Sequence, residues 1–461
     1  MKHKKTTFIK KLLSFTVLIF FIIGCKDETF SFSKQKIGNP HDPTKPITIT
    51  KITPNEGFLR EKVIIYGSNF GNDVEKTQVF FVDTDGNERT SPVVSVHGES
   101  IYCLAPRQIT GESNVKVIIN ENKEAVSPVK FSYTARENVS WVALMGKSLG
   151  VGARYEDGSL ADAHMWRPHA ITSIGNNQFM TFGFYENLAN KVRLISIDDD
   201  RVITVQEGVY LGQAAINESK TRVYATTLNP PHTIFEYKKE GGWTPYKIGE
   251  LVVPKYTSCC DRIRALVMMD EAHDPNQEWL YFAHKNKTFG RYNINTEETE
   301  IIADETLDVP VKDWAGYLVY DKFQNCFYLS LYESYSIYKI TKTGDNWGDG
   351  VKAELYVGSP SRSEVTDGHR ENARFKQPMG MCMDEEGNLF ITDRSAHVIR
   401  KLSAKDEHVT TIAGVVNVEG AANGDPKEAT FFFPIDIDYD GDGGFYIAED
   451  WESSIRKYSI E

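Results

Sequence analysis

The chain has 461 residues, 41% hydrophobic and 25% charged, with a formal net charge of −12 at pH 7. Its first 24 residues carry five lysines and no acid, so their removal takes the charge to −17. A chain this acidic repels phosphate backbones, which excludes nucleic acid as a partner.

Residues 1–24 read as a targeting segment: Lys2, Lys4, Lys5, Lys10 and Lys11 precede an apolar run, Leu12 to Ile23, too short for a mature membrane span. The run ends Ile22-Ile23-Gly24-Cys25, which resembles a bacterial lipobox and implies lipidation at Cys25. Lys26-Asp27-Glu28 resembles the surface-export signal of Bacteroidota lipoproteins. Together they imply an outer-membrane lipid anchor facing the cell exterior. Residues 25–46 are polar, carry Pro40, Pro43 and Pro46, and read as a tether.

Residues 47–134 alternate apolar and polar in six short stretches separated by turn residues, the spacing of an immunoglobulin-like β-sandwich. Ile52-Thr53-Pro54 with Gly57, Val63-Ile64-Ile65-Tyr66-Gly67-Ser68-Asn69-Phe70-Gly71 and Ala105-Pro106 resemble an IPT/TIG domain. Such domains commonly act as spacers.

The remainder is repetitive. A shift of 56 residues lays Gly368 on Gly424, Phe375 on Phe431, Pro378 on Pro434, Asp384 on Asp440 and Ile399-Arg400-Lys401 on Ile455-Arg456-Lys457. Each copy holds short apolar runs joined by tight turns, the unit of a β-propeller blade. Asp367-Gly368, Ala373, Phe375, Pro378, Gly387-Asn388-Leu389-Phe390, Thr392-Asp393 and Val409-Thr410-Thr411-Ile412-Ala413-Gly414 resemble the NHL repeat. The resemblance implies an all-β fold, with a six-bladed propeller over 139–461. Innermost strands are expected at 170–174, 213–217, 264–269, 316–321, 379–384 and 435–439. The last copy ends after its third strand, so a strand over 139–145 is expected to complete it and close the ring.

Antiparallel order puts the segment leading into each blade and the turn after its second strand on one face. The lead-ins bring Arg167, His169, Arg262, Trp314, Arg362, His369 and Arg370; the second turns bring His232, His284, Tyr332, Tyr335, Arg394, Asp450 and Trp451. Aromatic faces beside hydrogen-bonding groups suit a sugar, and Trp166, Trp314 and Trp451 are the expected stacking rings. Cys259-Cys260, on the same face, either closes a strained eight-membered disulfide ring or stays as two thiols.

Asp436-Ile437-Asp438-Tyr439-Asp440-Gly441-Asp442 has the acidic spacing of a calcium loop, yet it falls on a strand and lacks the closing Glu. The histidines show no zinc spacing, so neither metal nor cofactor is implied. The expected partner is an oligo- or polysaccharide, captured as an accessory to an outer-membrane glycan importer. A propeller enzyme acting on a glycan or lactone, hydrolase or lyase and possibly metal-dependent, and a protein–protein scaffold are the alternatives.

Overall fold

A computed structural model describes residues 38–108, 110–143, 156–164, 167–183, 190–253, 262–270, 278–284, 287–310, 315–450 and 454–460. The calls on Cys25, Trp166, Cys259-Cys260, Trp314 and Trp451 lie outside the described residues. Among the described residues there are strands and short 3₁₀ turns but no α-helix, and no helix long and apolar enough to cross a membrane. The chain forms two compact units.

The first unit is a two-sheet sandwich. One sheet orders Thr48–Thr53, Lys62–Ser68, Ser100–Leu104 and Val93–His97; the other is built on Gly111–Ile119 and Thr77–Val82. Alternate residues point inward, so Val63, Ile65, Val79, Phe81, Val115 and Val117 are fully buried while Lys116 between the last two stays out. Residues 42–46, expected as part of a tether, are tied to this unit. Asn69, in the left-handed conformation (φ 64°), accepts from Asp42 N at 2.8 Å. It donates to Asp42 O and Lys45 O, each at 2.9 Å.

The second unit is a six-bladed β-propeller. Its innermost strands are Pro168–Gly175, Leu211–Ile216, Ile263–Asp270, Ala315–Asp321, Pro378–Met383 and Pro434–Tyr439. Each packs on the next, and the sixth returns to the first. Flanked on both sides, they read as continuous buried runs, and Pro168 through Ile174 are all buried. Blade six takes its outermost strand from Glu137–Ala143, which pairs antiparallel with Ser454–Ile460. Val139 of that strand is fully buried among Phe431, Ile447 and Tyr458. At the seam, Asp438 accepts Ser173 N of blade one at 2.6 Å and Asp436 accepts Ile171 N at 2.8 Å.

A buried arginine on the third strand recurs in three blades and holds the segment that leads in. Arg400 donates to Arg374 O and Thr366 O at 3.0 Å and to Asp367 Oδ1 at 2.8 Å. Arg456 repeats this on Thr430 O, Ala422 O and Asn423 Oδ1, and Arg193 on His164 O, Glu156 O and Asp157. None of the three exposes any side chain. A rigid fork reaching several carbonyls at once is what a guanidinium supplies and an ammonium does not.

Candidate functional site: the bulged mouth of the propeller

All six innermost strands lose register at the same level, one residue after they begin. The pairing skips His169 in blade one, Arg264 in blade three and Ile435 in blade six. In blades two, four and five, two residues oppose one: Gly212-Gln213, Gly316-Tyr317 and Met379-Gly380. A bulge re-aims side chains and bends its strand, and it is over-represented beside functional sites. Six at one level make a ring of re-aimed residues around the axis. The glycines follow from crowding: a Cβ on Gly380 would sit 2.4 Å from Cα of Asp436, and one on Gly212 3.1 Å from Cα of Arg264.

The re-aimed side chains bridge between blades. Tyr317 of blade four reaches the opposite blade, where its hydroxyl donates to His169 O. It also lies 3.3 Å from His169 Nδ1, with the two rings stacked at 6.2 Å. Gln213 of blade two accepts from Leu266 N at 3.1 Å and Leu318 N at 2.9 Å, and donates to Leu318 O at 2.8 Å. One side chain therefore ties blades two, three and four. Burial, then the nearby Arg264 charge, pushes the His169 imidazole down to about 3, so it is neutral at physiological pH. Burial, then Asp436, holds the Tyr317 hydroxyl well above its ordinary value. Tyr317 and His169 thus form a neutral, hydrogen-bonded crossing beside the Arg264 charge.

Around it stands a charged rim. Asp450, 6% exposed, accepts both prongs of Arg167, at 2.6 and 2.9 Å, and Arg394 Nη2 at 2.8 Å. Burial pushes its carboxyl up, but Arg167 and then Arg394 more than offset this and hold it below the usual carboxylate range. The bridge joins blades one, five and six. Arg394 also lies 4.7 Å above the Phe433 ring and donates to Gln377 Oε1 at 3.1 Å.

The structure brings His169 and Arg394 to this mouth, with Tyr332 packed on the cluster that contains Tyr317 and Met379. Tyr335, half-buried, takes a left-handed conformation in the same turn. Arg262 precedes the bulge of blade three. His232 and His284 meet edge to face at 6.4 Å, both buried. His369 and Arg370 do not reach the mouth. The Gly368–His369 strand runs along the outermost strand of blade five, where both residues pair with Glu407. The lead-in skirts the outer edge before it turns inward.

Sequence reading placed Arg167 and Asp450 on this face without pairing them, and missed Gln213, Arg264, Tyr317 and Gln377. The acidic run at 436–442 is absorbed by structure: Asp436 and Asp438 cap blade one, and Asp440 accepts Asp442 N and Gly444 N at 2.8 Å. Among the described residues no group of three or more His, Cys, Asp or Glu is arranged to hold a metal ion.

Residues 46–133 match the IPT/TIG domain family. A structural-genomics protein of unknown function from Bacteroides thetaiotaomicron is 39% identical, with a TM-score of 0.80, over 92% of this chain and 100% of its own. The chain belongs to that protein's family. The same architecture recurs in two proteins described as auxiliary nutrient binding proteins, at lower identity. The one from B. thetaiotaomicron is 22% identical with a TM-score of 0.58, over 92% of this chain and 99% of its own. The one from B. ovatus is 20% identical with a TM-score of 0.59, over 92% and 100%. No curated protein matches the sequence.

Proposed function

We propose that this protein is a lipid-anchored, outward-facing outer-membrane protein that captures a saccharide at the bulged mouth of an NHL-type propeller. The observation that carries the reading is the mouth itself: six bulges in register, crossed by Tyr317 and rimmed by Arg167, Asp450 and Arg394. The rim surrounds the level at which Tyr317 crosses the axis. Its mixture of a half-buried Tyr332, planar guanidinium and fixed amide suits hydroxylated rings. The nutrient-binding description of the two Bacteroides proteins agrees with this role, and the resemblance of Ile22-Ile23-Gly24-Cys25 to a lipobox supports the address. Capture would serve an outer-membrane importer. The test is a glycan array probed with the chain from Cys25 onward. Specific binding that Tyr332→Ala and Arg394→Ala abolish is expected; binding unchanged by both variants, or no binding at all, refutes the reading.

A further inference from the structure

We propose that the saccharide is acidic, its carboxylate or sulfate received by the Arg394 guanidinium and the Gln377 amide of blade five. This rests on the saccharide reading above. Arg394 shares its acid, Asp450, with Arg167, which already grips both carboxylate oxygens. Its other side-chain hydrogen bond is to the neutral Gln377 Oε1. That oxygen also accepts from Ser395 Oγ at 2.6 Å. With its oxygen held by two donors, the Gln377 amide has one orientation open to it, with N–H groups facing away from Arg394 and Ser395.

Blade five therefore presents the Arg394 fork and the Gln377 N–H groups at this point of the rim, beside the Ser395 hydroxyl oxygen. The Arg394 side chain is 20% exposed, enough to meet a ligand while one face of its guanidinium lies over the Phe433 ring. The charges of the mouth are felt at His169: after burial, Arg264 is the largest acting on it, opposed next by Asp450, with Arg394 and Arg167 following in the same direction as Arg264. A fork of N–H groups beside a fixed amide matches the paired oxygens of a carboxylate or sulfate. Such charge-assisted bonds are roughly twice as strong as neutral ones. A neutral hydroxyl would leave the guanidinium half-used.

The experiment titrates the mature chain with a uronate polysaccharide, the same polymer with its carboxylates reduced to alcohols, a sulfated polysaccharide, its desulfated form, and neutral glucans. We expect binding of the uronate or the sulfated polymer, weakened tenfold or more by reduction or desulfation respectively, which also tells the two anions apart. Arg394→Gln should weaken it by at least tenfold, Arg394→Lys by less, and Gln377→Ala by several-fold. Lys352→Gln removes an exposed outer-strand charge and should change nothing. If Lys352→Gln weakens binding as much as Arg394→Gln, the effect is bulk charge and the inference fails. Binding of a neutral glucan that Arg394→Gln leaves intact overturns the inference while the saccharide reading stands. If no polysaccharide of the panel binds, that reading falls and this one with it. Melting curves of each variant confirm that the fold survives.

Discussion

Arg400→Ala removes a cation buried against Asp393 at 3.5 Å, where neither side chain exposes any surface. It also strips donors from Arg374 O and Thr366 O and the ion pair from Asp367. Truncating one partner of a buried pair costs about 3–5 kcal/mol, because the other charge stays behind uncompensated. Two features bound the figure here. Asp393 keeps hydrogen bonds from Lys376 N and Gln377 N, at 3.1 and 2.7 Å, which soften its loss. Against that, the guanidinium fills space beside Phe375, 5.1 Å away, and its removal opens a cavity. We therefore expect about 4 kcal/mol. Urea unfolding followed by tryptophan fluorescence reads it, with Lys401→Ala, one residue along and partly exposed, as the control. Arg400→Lys keeps charge but not the fork, and should recover less than half of the loss. A loss below about 1 kcal/mol for Arg400→Ala would refute the argument that these arginines anchor the lead-in segments.

Ring closure predicts that a chain beginning at Gly146 melts well below one beginning at Ala135, since it lacks the strand carrying buried Val139; equal melting temperatures would contradict it. Burial pushes the Asp438 carboxyl up from 3.8 to about 6, against the backbone donor Ser173 and the Lys220 charge. A raised carboxyl favours folding only while protonated, so its contribution is complete below about pH 4 and is lost as pH rises toward 6. The stability of the natural protein minus that of Asp438→Asn should then fall by up to about 3 kcal/mol between pH 4 and 7. A flat difference would rule this out. Cys25→Ala should release the protein from membranes and abolish fatty-acid labelling, and labelling that persists would end the lipidation proposal.

The parts of this molecule that were legible in the sequence are those that repeat. The 56-residue period exposes blades five and six. The inner strands were found within a few residues: Pro168–Gly175 against an expected 170–174, and Leu211–Ile216 against 213–217. What stayed hidden depends on one strand measured against another. A bulge is a register difference and leaves no trace in a single strand, so Gln213 and Arg264 look like ordinary residues of apolar runs. Tyr317 sits in Gly316-Tyr317-Leu318-Val319-Tyr320, which reads as a plain apolar run, yet it crosses the axis to His169. Arg400, between Ile399 and Lys401, resembles a solvated charge and is entirely buried. In each case the deciding partner lies far away along the chain.

The central claim is that a saccharide sits in the bulged mouth. A crystal structure of the protein with the best array ligand tests it most directly. The account predicts a sugar ring against Tyr332, with one acidic group within hydrogen-bond distance of Arg394 and Gln377. An ordered sugar on the opposite end of the propeller, or on the IPT/TIG sandwich, would contradict it.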